Sequence, residues 1–253
     1  MTSATPSFAG SVQSLHRDRE MLDRLVQEQS LTSDFQPVVD LADSRVVGYK
    51  AIAHGPEGTA VATPVGLLET ARATGHLERL DWMFRCHVFD LAMAAGVTKD
   101  LWLHITFESE TYGSSCPPRL ATTFGRARRE LKVAVDVPVR AYDDPAGLAR
   151  GLAETRDIGW LISLEDPCDH ADAIADLAAI SPSMVKVDLA LAGRHAGDGQ
   201  HPGLAALLDF AGRTGTPVVA ESVDNEARRA TAVRLGATYA RGRVFGLAGE
   251  LPS

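Results

Sequence analysis

The feature of this sequence that most restricts its fold is a regular alternation of short apolar segments with longer amphipathic ones from Phe35 onward. The apolar segments have the length of buried strands. The segments between them carry apolar residues at steps of three and four, which is typical of helices that pack on a sheet. Strands that alternate with helices in this way are parallel, because each helix returns the chain across the sheet. One such helix is predicted from Leu77, Leu80, Phe84, Val88 and Leu91.

The predicted strands number about eight, which is the number that closes a single barrel surrounded by helices. Ala42, Asp43 and Ser44 join the first two strands as a hairpin, so we expect the first strand to be antiparallel. We predict an α/β fold with a single (β/α)8 TIM-like barrel over residues 31–253. The strands are predicted at 35–41, 46–53, 101–106, 133–137, 160–164, 184–187, 218–220 and near Tyr239, and the further helices at 64–74, 118–129, 145–154, 170–179, 203–213 and 224–234.

Residues 1–30 differ in composition from the barrel. The first dozen residues are small and polar, and we expect a flexible N-terminus. Leu15, Leu22 and Leu25 then recur among charged residues, which predicts a short amphipathic helix within 13–29. A cap over the bottom of the barrel and a docking or dimerisation helix are both consistent with this pattern.

Charge and cysteine content exclude several classes of protein. The net charge of -8, without a cluster of Lys and Arg, argues against a nucleic-acid polymer as partner. The three cysteines form no Cys-x-x-Cys pair, so neither a disulfide framework nor a thiolate zinc site is predicted. The sequence contains neither a signal peptide nor an apolar run long enough for a membrane helix. We therefore expect a cytoplasmic protein that does not interact with membranes.

Ionisable side chains follow the apolar core of most predicted strands. In a barrel of this kind the carboxyl ends of the strands meet at one mouth, which is where ligands bind. Several polar groups that converge there predict a ligand site or the remains of one. The residues concerned are Lys50, His54, His104, Asp136, Glu165, Asp166, Lys186, Asp188, Glu221 and Arg241.

Several motifs follow one another along the chain: the opening strand Phe35–Leu41, the helix motif Leu80–Trp82, the stretch Glu165–Asp188, the segment Val219–Asp224, and the pairs Leu235-Gly236 and Arg241-Gly242. In their order and spacing these motifs resemble the EAL domain family of cyclic-di-GMP phosphodiesterases. The resemblance covers roughly residues 31–250. It implies a barrel whose mouth holds two divalent metals, which activate a water against a phosphodiester.

The catalytic signature of that family is altered here. Glu-Ala-Leu-x-Arg reads Lys50-Ala51-Ile52-Ala53-His54. The metal-binding carboxylate is thus an ammonium, and the phosphate-binding arginine is a histidine. The family Asn falls on His104, and the next Glu falls on Asp136, or on Ala134 if the alignment slips by two residues.

The remaining positions are partly retained. Glu165 replaces the first of the family's paired aspartates, whereas Asp166 retains the second. Arg241 replaces the family Gln. The resemblance therefore implies a vestigial rather than a catalytic site, at Lys50, His104, Asp136, Glu165, Asp166, Lys186, Glu221 and Arg241.

Lys50 is the substitution with the largest electrostatic consequence. Magnesium requires near-octahedral oxygen ligands, and an ammonium both removes a ligand and repels the ion. Two unit charges about 4 Å apart interact by roughly 4 kcal/mol at an effective dielectric of 20, and a divalent ion about doubles this repulsion. We therefore predict that the two-metal site is lost and that no cofactor is bound. We expect Lys50 to serve as counter-ion for Asp136, Glu165 or Glu221.

Two histidines leave an alternative open. His54 and His104, together with Asp136 and Glu165, contain ligand types that suit zinc or manganese. Lys50 in the same mouth argues against this interpretation. Hydrogen-bonded polar groups at strand ends are the simpler one.

These changes predict a degenerate EAL-domain protein that is catalytically inactive and regulatory, most simply a protein-interaction module in bacterial signalling. A metal-independent cyclic-di-GMP receptor is the alternative. Residual phosphodiesterase activity, or a hydrolase built on the histidines, is less favoured. The resemblance also implies a homodimer as one oligomeric state, whereas the protein partner is not specified. Candidate ligand-binding residues are Gln36, His54, Asp166, Lys186, Glu221 and Arg241.

Overall fold

The computed structural model describes residues 17, 19–25, 31–138, 141, 143–191 and 201–252, apart from the side chain of Asp169. Within these residues the strands form one closed barrel in the order β1 to β8. The predicted single barrel is confirmed. Its strands are β1 (Thr32–Asp40), β2 (Val46–His54), β3 (Trp102–Thr106), β4 (Lys132–Val137), β5 (Leu161–Leu164), β6 (Met184–Asp188), β7 (Val218–Glu221) and β8 (Tyr239–Arg241).

The helices lie between the strands, as the apolar periodicity predicts. Several begin at the signals that their sequences carry: Thr63 caps the first helix by accepting a hydrogen bond from the Gly66 amide, and Pro64 follows it. The predicted helix at 118–129 begins with a 3-10 turn, so its α-helical part starts at Ala121. The helices are α1 (Pro64–Thr74), α2 (Leu77–Ala94), α3 (Ala121–Glu130), α4 (Pro145–Ile158), α5 (Ala171–Ile180), α6 (Pro202–Thr214) and α7 (Glu226–Arg234).

The first strand departs from the parallel pattern. β1 pairs antiparallel with both β2 and β8, while the other neighbouring strands pair in parallel. The turn after β1 explains the reversal. Asp40 accepts a hydrogen bond from the Ala42 amide at 2.9 Å, and Ser44 adopts a left-handed backbone with φ of 60°. The predicted hairpin and the antiparallel first strand are confirmed.

Side chains alternate between the barrel interior and the helix layer, because successive strand residues point to opposite faces. One interior cluster is apolar and contains Val38, Ala134, Met184 and Val219, with Trp102, Leu161 and Tyr239 packed against it. Two residues further along each parallel strand, on the same face, the interior becomes polar. The fold therefore stacks a charged layer on an apolar floor at the carboxyl ends of the strands.

Residues 19–25 are helical and pack on the outer helix layer. Leu22 and Leu25 are buried in a cluster with α1 and α2 residues, among them Leu67 and Leu80. Asp23 lies 3.0 Å from Nε2 of His76, at the start of α2. Residues 19–25 therefore pack against α1 and α2. Residue 17 is also helical, whereas the rest of the predicted N-terminal helix and the first dozen residues lie outside the described residues.

No helix within the described ranges is both long and apolar enough to cross a membrane.

Candidate functional site at the barrel mouth

Asp136 on β4 is the centre of the charged layer. Its side chain is fully buried, and Oδ2 accepts hydrogen bonds from Lys50 Nζ at 2.6 Å and Lys186 Nζ at 2.5 Å. Oδ1 lies 3.2 Å from Nδ1 of His104. Burial alone would raise the pKa of Asp136, but Lys186, Lys50 and His104 hold it well below its usual range. Asp136 is therefore a buried anion that two ammonium groups stabilise.

His104 on β3 is neutral in this setting. Its side chain is fully buried, and burial lowers the pKa of the imidazole despite the neighbouring Asp136. Because the Asp136 carboxylate only accepts hydrogen bonds, we assign the proton to Nδ1. Nε2 has no hydrogen-bond partner among the described residues. His104 thus orients Asp136 and carries no charge at neutral pH.

Lys50 on β2 lies across the mouth from these strands. Its Nζ donates to Thr106 Oγ1 at 2.5 Å and to Glu165 Oε1 at 3.2 Å, in addition to Asp136. Burial opposes the charged form of Lys50, but Asp136, Glu165 and Glu221 outweigh it and raise the pKa above its ordinary value of 10.5. The expected counter-ion role of Lys50 is confirmed by its contacts with Asp136 and Glu165.

Glu221 on β7 has two other cations as partners. Its Oε1 lies 3.4 Å from Lys186 Nζ and accepts from Arg241 Nε at 3.1 Å. Burial would raise the pKa of Glu221, but Arg241, Lys186 and Lys50 lower it to about 2. Arg241 Nη1 also donates to Gln36 Oε1 at 2.7 Å, and Gln36 Nε2 donates to the Gly246 carbonyl at 3.1 Å. The hydrogen bond between Gln36 and Arg241 therefore links the neighbouring strands β1 and β8.

Among the described residues, the contacts of the charged layer join cations to carboxylates. Three cations, Lys50, Lys186 and Arg241, contact three carboxylates. Each of these carboxylates lies within 3.2 Å of at least one cationic nitrogen. The carboxylates are Asp136, Glu165 and Glu221.

The family model described as "EAL domain" matches residues 19–248. This chain belongs to the EAL domain family. A comparison with curated protein sequences gave no match.

Solved structures of EAL domains share the fold of this one. The Xanthomonas citri FimX EAL domain, in complex with cyclic-di-GMP, is 16% identical, with a TM-score of 0.78 over 96% of this chain and 97% of that chain. The phosphodiesterase PaMucR, in a cyclic-di-GMP complex, is 20% identical, with a TM-score of 0.74 over 95% and 98%. The Pseudomonas aeruginosa FimX EAL domain bound to cyclic-di-GMP is 18% identical, with a TM-score of 0.72 over 92% and 97%. At these identities the likeness shows the fold alone.

The residues at the mouth of this EAL domain do not fit a pair of divalent metals. The ammonium of Lys50 contacts Asp136 and Glu165, so two carboxylates that metals would use are already bound to a cation. Across the described ranges, no group of three His, Cys, Asp or Glu side chains is arranged to hold a metal ion.

Three predicted residues, His54, Asp166 and Asp188, make other contacts, and Oδ1 of Asp188 accepts a hydrogen bond from the Ala190 amide at 2.7 Å. His54 Nε2 is 3.3 Å from Asp34 Oδ2 at the open end of the β1–β2 hairpin, so it belongs to a separate pair. Asp166 has a left-handed backbone with φ of 39°, and its Oδ1 lies 3.5 Å from the Asp188 amide that donates to it. The alternative histidine site requires His54 to lie beside His104 and Asp136. The structure does not bring these residues together.

Sequence reasoning missed Thr106. Its Oγ1 accepts from Lys50 and donates to Glu165 Oε1 at 3.3 Å. The signal was available, because Thr106 follows His104 by two residues on β3 and so faces the same interior. A cavity of about 130 Å³ also adjoins Lys50, and its walls between β2, α1 and α2 are mainly apolar.

Proposed function

We propose that this EAL domain protein is catalytically inactive and regulates other proteins by interaction, as part of bacterial signalling. The observation that carries the proposal is the Lys50 ammonium within hydrogen-bonding distance of Asp136 and Glu165. A phosphodiesterase of this type needs carboxylates that are available to metals. Here a permanent internal cation competes with any metal for the same oxygens, and it carries no entropy cost of association because it is covalently attached.

The same contacts favour protein interaction over a cyclic-di-GMP receptor. Cyclic-di-GMP carries two negative phosphates, so a receptor needs cations that are free to meet them. Lys186 and Arg241 both contact Glu221, and Arg241 also contacts Gln36. Binding would therefore require buried ion pairs to be broken first. The receptor remains the second candidate because Gln36, Lys186 and Arg241 converge on one mouth and the solved FimX domains are bound to this nucleotide.

Two further properties belong to the proposal. We infer a cytoplasmic location, which the free thiols of Cys86, Cys116 and Cys168 support. A homodimer formed through helices beside the mouth is also proposed, and sedimentation velocity at several protein concentrations tests it.

Calorimetric titration with cyclic-di-GMP, with and without magnesium, separates the three functions. A protein-interaction module releases no heat at high micromolar nucleotide. A receptor binds without metal, and Arg241→Ala weakens binding, whereas the control Arg243→Ala does not because the Arg243 side chain is 67% exposed and pairs with Asp224. Magnesium-dependent turnover to the linear dinucleotide that Glu221→Gln abolishes would overturn the proposal.

A Lys50→Glu variant tests the reason for inactivity. If the ammonium is what prevents metal binding, the added carboxylate should confer a rise in Tm with millimolar magnesium or manganese, because a ligand that binds only the folded state stabilises it. Lys50→Met, which removes the ammonium without adding a ligand, is the matched control and should show no such rise. An equal response of the wild type to metal contradicts the argument.

A further inference from the structure

Two of the three cysteines lie in neighbouring parts of the helix layer. Cys86 belongs to α2 and is 1% exposed, whereas Cys116 lies in the segment between β3 and α3 and is half-buried. Both are free thiols in this structure. Their spacing along the chain does not indicate a pair, so only the fold can bring them together.

The segment that carries Cys116 is attached to α2 on both sides of this residue. Before it, Ser114 Oγ accepts a hydrogen bond from Trp82 Nε1 at 2.8 Å. After it, the Leu120 carbonyl accepts from Sγ of Cys86 at 3.9 Å. Trp82 and Cys86 are four residues apart in α2, so they lie on one face of the helix. The two contacts therefore place Cys116 against the face of α2 that contains Cys86.

The two thiols are close enough to form a hydrogen bond with each other. Burial raises the pKa of Cys86 to about 12, and Cys116 and Asp90 raise it further against the opposing effect of Arg85. Burial also raises the pKa of Cys116, although Arg85 and Cys86 oppose this. Both sulfurs are therefore protonated at neutral pH, and they are neighbours without a covalent bond.

The two thiols differ in their access to solvent. Cys116 lines a cavity of about 390 Å³, and the exposed residues Gly113 and Arg128 also line it, so this cavity opens to the surface. Cys86, by contrast, is almost completely buried. An oxidant from solution therefore reaches Cys116 first, and Cys86 then reacts with a sulfur that already lies beside it.

The high pKa of Cys86 does not prevent this second step. With a pKa of about 12, roughly one part in 10⁵ of the thiol is ionised at pH 7. Groups that are held in contact react as if their concentration were about 10⁵–10⁸ M, which offsets the small ionised fraction. A thiolate of high pKa is also the stronger nucleophile.

We propose that Cys86 and Cys116 form a reversible disulfide when the protein meets a small disulfide oxidant. The Cys116 thiolate attacks one sulfur of the oxidant, which gives a mixed disulfide and releases one thiol. The Cys86 sulfur loses its proton and attacks the Cys116 sulfur, which releases the second thiol. Two protein thiols are thus oxidised to one disulfide, and the oxidant is reduced to two thiols. The bond connects the segment after β3 to α2, and it does not depend on the function proposed for the barrel mouth.

Incubation of the reduced, folded full chain with glutathione disulfide tests this proposal. After the remaining thiols are blocked with N-ethylmaleimide, mass spectrometry should show one internal disulfide between the Cys86 and Cys116 peptides, and dithiothreitol should remove it. In Cys86→Ala the reaction should stop at the mixed disulfide of Cys116. The matched control Cys168→Ser, at another half-buried cysteine, should form the same internal bond as the wild type. In denaturing urea all three pairings should appear, because loop closure depends only weakly on loop length.

Cys116→Ser provides a second variant at a half-buried position. It should leave Cys86 reduced, because the oxidant reaches Cys86 through Cys116. Oxidation of Cys86 in this variant at the wild-type rate would overturn the proposal. So would three thiols that stay free in the wild type, a mixed disulfide at Cys116 that persists there, a bond to Cys168, or an equal preference for the Cys86–Cys116 pairing in folded and denatured protein.

Discussion

Replacing Lys50 by Met tests the central electrostatic claim, since Met keeps most of the side-chain volume and removes the charge. Breaking a buried ion pair by removing one partner costs about 3–5 kcal/mol. Asp136 would retain Lys186 at 2.5 Å, whereas Glu165 would retain only Lys186 at 3.9 Å. Because one carboxylate remains paired, we expect the lower end of that range, about 3 kcal/mol at neutral pH.

Thermal and urea unfolding followed by circular dichroism measure this loss. In a chain of 253 residues, 1 kcal/mol shifts Tm by about 2–4 °C, so Lys50→Met should lower Tm by roughly 6–12 °C. Lys99→Met makes the same chemical change at an exposed position and should alter the free energy of unfolding by less than about 0.5 kcal/mol.

The pH dependence separates charge from packing. The pKa of Asp136 is depressed, so its contribution to stability is present above its unfolded value of 3.8 and is lost as the pH falls through its lower folded value. Loss of Lys50 raises that folded pKa, so Asp136 is protonated at a higher pH in Lys50→Met. The difference in free energy of unfolding between Lys50→Met and the wild type should therefore become smaller on acidification. An unchanged Tm, or a stability difference between Lys50→Met and the wild type that stays constant throughout acid unfolding, would refute the electrostatic reasoning.

Two further predictions concern Glu221 and the N-terminal helix. The pKa of Glu221 is about 2 against an ordinary 4.5, so its contribution to stability is present above pH 4.5 and is lost between pH 4.5 and 2. Glu221→Gln cannot make this contribution, so its free energy of unfolding should fall less on acidification than that of the wild type, by at most about 3 kcal/mol. The same fall in both proteins would contradict this prediction. Leu22 is fully buried against α1 and α2, so Leu22→Ala should lower the free energy of unfolding in urea by about 2–5 kcal/mol. The exposed control Arg24→Ala should lower it by less than about 0.5 kcal/mol. Equal stability of Leu22→Ala and the wild type would indicate that residues 1–30 do not contribute to the stability of the barrel domain at 31–253.

The sequence predicted the backbone better than the side-chain contacts. Strands, helices and the hairpin follow from periodicity and from turn residues such as Ser44, which are local properties. The choice of ion-pair partners is not local. Lys50, Lys186 and Arg241 all face one mouth, but the pairing of Glu221 with Arg241 depends on how far each side chain reaches, which spacing along the chain does not encode.

The position of His54 was also not predictable from spacing along the chain. As the last residue of β2 it was expected to face the same mouth as His104. The antiparallel register places it opposite Thr32, and its imidazole meets Asp34, two residues further along β1. Only the register of the hairpin, which the sequence leaves open, decides between these positions.

The substitutions at the mouth form a consistent set when their charges are considered together. The family resemblance gives a carboxylate where Lys50 lies and an amide where Arg241 lies, so both departures add positive charge. Each added cation contacts a carboxylate, Asp136 for Lys50 and Glu221 for Arg241. Without Lys50 and Arg241, Lys186 would be the one cation among the described residues that contacts these three carboxylates, which is costly. The two additions remove that cost, and we therefore infer that this mouth is stable without metal rather than simply damaged.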